Sequence, residues 1–420
     1  MPRVSPPEEG TDAVVDADIP FEPGTARAAL RHRNFRIFWT GTLASNVGTW
    51  MQNVCLIALA YELTHSALWV GLLSFGQLGP LLFIGPLGGV LADTFDRRRL
   101  LLATQLAQMI LSLVLAALAA VNHPSPGRLF ACVLAIGVAN ALGAPTLPSV
   151  VPSLVGADDL AGAVSLMSAQ MNISRVIGPA IGGILYPTFG AAPVFVINAL
   201  TYLFLVAAIL ATRFPPREHN SEGWAGAFSG FGVVRRDALI RRALVTITTL
   251  SFCSLPFIGL MPALAAVHLH MRPKSAAFGL LYAGFGAGAA LGALAVGTFL
   301  ARRSKPRLVS RGLVIFAVLL GAFATITVRP LAYPIVLGVG ISYFMVVTSL
   351  NTLVQIHVDD AQRGRVMAIW IMGFGGTVPL GTLLAGVIAD HTSVPAVIVA
   401  GAVAAAALAA YTRPLEAATG

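Results

Sequence analysis

The sequence predicts an all-α integral membrane protein, with twelve transmembrane helices in two pseudo-symmetric six-helix bundles. Three observations carry that prediction. Of the 420 residues, 56% are hydrophobic and only 11% charged, and the mean hydropathy is +0.80. A soluble domain with a solvated surface does not sustain such a composition. Apolar stretches long enough to cross a bilayer recur along the chain, separated by short polar breaks. Residues of the first half also reappear in the second at steady offsets. The formal net charge of +9 would suit nucleic-acid binding in a soluble protein. Here the arginines fall between apolar spans rather than on one face, so they record topology instead.

Taken in order, residues 1–32 form a tail. Glu8, Glu9, Asp12, Asp16, Asp18 and Glu22 sit there without an apolar core, the opposite of a signal peptide, so the tail is expected to be disordered and cytoplasmic. A crossing needs ~20 apolar residues to span a hydrocarbon core of ~30 Å. Stretches of that length fall at about 35–61, 68–92, 99–121, 128–153, 162–187 and 191–212, then at 242–267, 276–300, 308–328, 332–356, 366–389 and 393–412. The first six make an N-terminal bundle, 33–212. The longest break, 213–241, holds Pro215-Pro216, polar residues from His219 to Glu222 and arginine pairs at its end, and is expected to be a cytoplasmic linker. The last six make a C-terminal bundle, 242–412, before a short cytoplasmic tail, 413–420.

Orientation follows from the basic residues, which accumulate in cytoplasmic loops. With both termini inside, the cytoplasmic segments hold Arg27, Arg31, Arg33, Arg36, Arg97 to Arg99, Arg235, Arg236, Arg302, Arg303, Lys305, Arg363 and Arg365, among others. The other side keeps only Arg128, Arg272, Lys274 and Arg329. Internal repetition supports the halving. Asp159, Met167 and Pro179 return as Asp359, Met367 and Pro379, while Gly71-Leu72-Leu73 and Gly89 return as Gly279-Leu280-Leu281 and Gly297. Duplication of a six-helix unit is the simplest cause.

Between the second and third spans lies Gly88-Gly89-Val90-Leu91-Ala92-Asp93-Thr94-Phe95-Asp96-Arg97-Arg98-Arg99. In a short loop, Asp93 can accept hydrogen bonds from exposed helix-terminal N–H groups, while Arg97 and Arg98 hold the loop on the cytoplasmic side. The segment therefore reads as a latch between helices, with Gly89 beside it.

These residues resemble the Major Facilitator Superfamily, whose corresponding loop has the form G-x-L-a-D-r-x-G-r-r. Gly89, Leu91, Asp93, Arg97 and Arg98 take the matching places with a slip of one residue, and Asp96 stands where the family has Gly. In the second copy, Ala301 replaces the aspartate. Gly178-Pro179-Ala180-Ile181-Gly182-Gly183 is similar to the G-P-x-x-G-G signature of exporters in that superfamily, with Ser165 and Ser174 in place of the upstream glycines. Asn46 to Gln52 and Arg363 to Met367 are similar to the bacterial branch containing enterobactin and macrolide exporters. Together the resemblance covers almost all of residues 30–412. It implies a monomeric secondary transporter of the bacterial inner membrane, exporting a drug or siderophore-like molecule. Alternating access would rock the two bundles about a midplane site, with Gly178, Pro179, Gly182 and Gly183 as gating positions.

Arg175 is the one ionisable side chain near the centre of a span, where a charge costs at least ~2.5–3.5 kcal/mol. Ser168, Asn172, Arg175 and Pro179 share one helical face. Two readings stand: the stripe faces a water-filled cavity and attracts an anionic or acceptor-rich substrate, or Arg175 bonds to carbonyls of a neighbouring helix and fixes packing. Asn46, Gln52, Asn140, Gln170, Asn351 and Gln355 are the further polar candidates for the cavity, each with an interhelical hydrogen bond as the alternative. Trp50 and Trp370 are candidates for stacking on a planar substrate. Gly284, Gly288 and Gly292 form a stripe for close helix approach, moving or static.

No G-K-[ST] phosphate loop exists, since Lys274 and Lys305 follow Pro273 and Ser304. Transport is therefore expected to draw on a gradient, with proton antiport the leading form. With no carboxylate at mid-membrane, Asp93 near the inside and Glu62 and Asp390 near the outside are the candidates for proton-linked groups, against a structural latch for Asp93 and a solvated helix end for Glu62 and Asp390. Hydrolase and metalloprotease motifs are absent, no cofactor or metal is expected, and His268 and His270 read as an interfacial pair. Cys55, Cys132 and Cys253 make no disulfide pattern. An importer of the same fold, or a receptor or lipid-handling protein, remains the alternative.

Overall fold

The computed structural model describes residues 24–121, 123–212, 214 and 232–417, and those residues contain helices and no strand. In chain order the helices of the first half are α1 (Ala26–Arg31), α2 (Arg33–Thr64), α3 (Ala67–Thr94), α4 (Arg97–Ala120), α5 (Pro126–Gly143), α6 (Thr146–Leu154), α7 (Leu160–Phe189) and α8 (Ala191–Ala211). Those of the second half are α9 (Ala238–Cys253), α10 (Phe257–Val267), α11 (Ala276–Gly297), α12 (Lys305–Thr325), α13 (Arg329–His357), α14 (Asp360–Ile371), α15 (Thr377–His391) and α16 (Val394–Ala417).

Ten helical stretches among the described residues are long and apolar enough to cross a membrane. The other two long helices are α2 and α7, of 32 and 30 residues, ample for a ~30 Å core at ~1.5 Å per residue. They fall short on hydropathy because they carry the polar residues, Asn46, Gln52 and Asn53 on one, Gln170, Asn172 and Arg175 on the other. The twelve long segments correspond to the twelve stretches read from sequence.

Three of those stretches are interrupted. The fourth breaks between α5 and α6 at Ala144-Pro145, and the seventh breaks between α9 and α10 around Pro256, since proline has no N–H to continue the helical ladder. The eleventh passes through one wide π turn, Met372–Gly376, between α14 and α15; its run of glycines gives little side-chain packing to hold a tighter helix. The expected N-terminal tail also differs at its end. Helix α1 lies within it, with Ala28 and Ala29 fully buried and Thr25 capping the first turn. Residues 1–23 and most of the linker lie outside the described residues.

Within the first six segments, α2 packs on α7 and α8, α3 on α5, and α4 on α5 and α8. Within the last six, α11 packs on α13, α12 on α13 and α16, and α9 on α16. Two pairs join the halves most extensively, α7 with α11 and α3 with α15. The sequence offsets explain why these are one contact made twice. Gly183 of α7 meets Gly279 of α11 so closely that a β-carbon on either would collide with the other's backbone. The repeat relating Gly71 to Gly279, and the one relating Pro179 to Pro379, map this pair onto Gly71 and Leu383. There a β-carbon on Gly71 would stand 3.0 Å from Leu383 Cα.

Candidate functional site

Between the two halves lies a cavity of about 1310 Å³. Helix α7 supplies its longest wall, with Leu160, Val164, Ser168, Asn172 and Arg175 recurring at the three- and four-residue spacing of one face. Opposite, α13 contributes Phe344, Val347, Thr348 and Asn351 at the same spacing. Thr42 and Asn46 of α2, Asn140 of α5, the α6 segment, the end of α11, and Trp370 with Phe374 complete the lining. All of these lie in the parts of their helices nearest the end of the molecule that bears α1 and the end of α16.

Arg175 occupies the deep part of that wall. Its guanidinium carbon is 5.4 Å from the centre of the Trp50 ring and 4.9 Å from that of Phe344. Trp50 comes from α2 in the first half and Phe344 from α13 in the second, so the cation touches aromatic faces from both. Its Nη1 lies 3.5 Å from Asn172 Oδ1, and Asn172 in turn donates Nδ2 to the Ser168 carbonyl at 3.0 Å. Among the described residues no carboxylate pairs with it, so the charge rests on Asn172 Oδ1 and the two ring quadrupoles, a cation–π contact being worth ~2 kcal/mol or more when desolvated. Buried Nε makes no hydrogen bond to the protein, and both amide atoms of the fully buried Gln170 are likewise without a protein partner. Leaving such groups unsatisfied costs ~1–3 kcal/mol each.

Of the residues singled out from sequence, Asn46, Asn140, Gln170, Asn172, Arg175 and Asn351 border this one cavity. Two others do not. Gln52 is buried inside the first half, where Oε1 accepts from Asn198 Nδ2 at 2.8 Å and from Ser112 Oγ at 3.2 Å. It joins α2 to α8 and α4, the interhelical role that Asn and Gln commonly take in lipid. Gln355 is exposed one turn beyond the cavity and bonds to Asn351. Sequence reading passed over Phe344 and Thr348, although both stand on the Asn351 face. It also passed over Asn198, which has no polar neighbour in sequence to advertise it.

The arginines of the loop between α3 and α4 bind backbone carbonyls of the first half. Arg97 Nη1 donates to the Ser149 carbonyl of α6 at 2.9 Å, and Arg98 Nη2 to the Leu210 carbonyl of α8 at 2.7 Å. Both thus tie the start of α4 to its own half. Asp96 caps α4, accepting from the Arg99 N–H at 2.8 Å. Gly89 and the Asp93 side chain lie outside the described residues. Gly178 and Gly182 bring α7 against α2 at Trp50 and Met51, with Pro179 buried between them. Gly288 and Gly292 bring α11 against Leu337 and Ile341 of α13, within the second half. Gly286 alone of that helix meets the Arg175 carbonyl, on the seam between halves.

On the same face as the cavity mouth, Asp159 holds α1. It accepts from His32 Nε2 at 2.8 Å and the Gly24 N–H at 3.2 Å, with Arg31 3.8 Å away. The His32 hydrogen bond first, and the Gly24 N–H second, hold its carboxyl below the ordinary carboxylate range.

The opposite end of the seam is closed. Asp390, in the last turn of α15, accepts from Ser66 Oγ at 2.6 Å, the Ala67 N–H at 2.8 Å and the Leu68 N–H at 3.3 Å. Nearby in the chain's order of loops, Tyr186 of α7 donates to Glu62 of α2, and the Lys274 ammonium of the second half lies 5.6 Å from the Tyr186 ring centre.

A family model described as transmembrane secretion effector, within the Major Facilitator Superfamily, matches residues 24–418. The chain belongs to this family. It is 30% identical to the enterobactin exporter EntS of Escherichia coli O1:K1 over 353 residues, 81% of each chain, and equally so to that of Citrobacter koseri. Among solved structures, a bacterial homologue of the human lysosomal transporter Spinster, inward-facing and unoccupied, superposes with a TM-score of 0.73 at 15% identity, over 90% of this chain and 96% of that one. The nucleoside transporter NupG does so at 0.72 and 14% identity, over 91% and 99%. The chain is thus a multi-pass membrane transporter and not an enzyme.

Proposed function

We propose that this transporter exports a small organic molecule carrying an anionic or acceptor-rich group, by proton antiport and alternating access. The single observation that carries the substrate reading is Arg175, a cation with no carboxylate partner among the described residues, in the wall of an inter-bundle cavity and flanked by Trp50 and Phe344. A cavity of about 1310 Å³ is ample for a drug or siderophore-sized ligand, since ordinary ligand pockets measure ~300–1,000 Å³. The similarity to enterobactin exporters supports the exporter direction and the siderophore-like class. Asn46, Asn140, Gln170, Asn172 and Asn351 supply the neutral polar contacts.

The bundles 33–212 and 242–412 are the rocking units of a monomer, with 213–241 joining them. Gly178, Pro179, Gly182 and Gly183 form the packing surface, and Gly89, Asp93, Arg97 and Arg98 form the cytoplasmic latch. The arginine distribution supports both termini on the cytoplasmic side of the bacterial inner membrane, which makes the present cavity inward-facing. Proton coupling rests on the absence of a phosphate loop in the sequence.

The test is export from proteoliposomes loaded with acidic, neutral and basic aromatic compounds matched in size. Arg175→Ala should remove transport of the acidic members while insertion and folding persist. Equal transport of all three classes, unchanged by the substitution, would remove Arg175 from the site. Movement insensitive to an imposed pH gradient would defeat antiport.

A further inference from the structure

The end of the seam opposite the cavity is held by a contact whose logic is visible in its chemistry. An α-helix begins with N–H groups that have no intrahelical partner. In the first turn of α3, Ser66 caps the Trp69 N–H within its own half. The Ala67 and Leu68 N–H groups are instead capped by Asp390 of the other half, which also accepts a hydrogen bond from the Ser66 hydroxyl. Asp390 is the penultimate residue of α15, where a negative charge opposes that helix's own macrodipole, while it is favourable at the start of α3. The carboxylate is therefore badly placed for the helix that carries it and well placed for the helix it touches. The backbones beneath are already in contact, with the Ala67 carbonyl 2.6 Å from where a β-carbon on Gly386 would stand.

We propose that Asp390 is a conformational latch: its hydrogen bonds to the start of α3 close the end opposite the cavity, and their loss is a required step in opening there. The inference rests on alternating access in this chain. It makes the Lys274 contact with Tyr186 a second, weaker tie at the same end.

The latch is tested with a cysteine at Ser74, an α3 residue that faces the second half near Gly259, in the full-length protein in intact cells. Membrane-impermeant maleimide is added from outside, and the parent protein, whose native cysteines are retained, corrects for background. An N-cap is worth ~1 kcal/mol, or about fivefold in a two-state population. Asp390→Ala should raise the labelling rate of Ser74→Cys about fivefold, with Ser66→Ala giving a smaller rise, at unchanged expression and gel-filtration elution. Rates equal to the parent in both variants would overturn the latch while leaving alternating access standing. Labelling absent in every background, including with substrate-loaded cells, would remove alternating access and the latch with it.

Discussion

The two ends of the seam between the bundles are built on different principles. At the end bearing α1, the facing surfaces are lined by Ser168, Asn172, Thr348 and Asn351 on two helices that stand apart around a cavity. At the other end the facing surfaces are glycines, Gly183 on Gly279 and Gly71 on the α15 backbone, tied by a carboxylate that caps a helix of the opposite half. Backbone in contact leaves no room for a ligand, and side chains that keep helices apart leave no dry seal. The difference teaches where the proposed alternation would act: at the helix pairs α7 with α11 and α3 with α15, whose backbone contact closes one end of the seam here.

Substitutions can break or sharpen that contrast. The largest effect is expected at its deepest point. Arg175→Ala should lower initial rates of anion export in proteoliposomes by at least about a hundredfold, removing both a charge-assisted contact and the cation–π pair. Arg175→Lys should recover only part of it, because the planar fork is lost. Gly183→Leu comes next. It places a side chain where Gly279 already touches, so the closed end must part, and transport should fall about tenfold or more while the protein still inserts. Distances measured across that end by paired spin labels would lengthen.

Gln52→Leu sharpens the contrast from outside the cavity. It strips Asn198 and Ser112 of their acceptor, so stability should fall by ~1–3 kcal/mol in thermal unfolding, with export per folded molecule unchanged. The smallest effect is expected at Asp159. Its depressed carboxyl contributes stability at any pH above the unfolded value near ~3.9 and loses it as pH falls through the lower folded value. Hydrogen exchange of residues 24–31 should therefore stay slow at pH 5 and accelerate only in stronger acid, whereas Asp159→Asn should accelerate it at neutral pH.

Much of this was legible in the sequence, for reasons of physics rather than similarity alone. Lipid forces every backbone group into a helix, so apolar length fixed the segments. Duplication was legible as a repeat, and the structure puts Gly71 and Gly279 at equivalent seams, a pairing of helices that the offset alone did not name. The cavity face was legible on α7 because a mid-membrane Arg175 demands a reason. It was half legible on α13, where Asn351 pointed to the face and Phe344 and Thr348 lay unremarked on it. Gln52 misled because a polar residue at membrane depth faces either water or another polar side chain, and only the fold reveals Asn198. The Gly284, Gly288, Gly292 stripe was read correctly as close approach, yet only Gly286 and Gly279 carry it across the halves. The Asp390 tie was hidden, and its carboxyl read as a solvated helix end, because two of its three partners are backbone N–H groups, which every sequence possesses.

The most direct test is a pair of distance measurements on one reconstituted protein. Spin labels placed across the cavity mouth and across the closed end would be followed with and without an exported substrate and a pH gradient. Alternating access predicts reciprocal change, the mouth shortening as the other end lengthens. Both distances holding fixed during turnover, or both lengthening together, would contradict it.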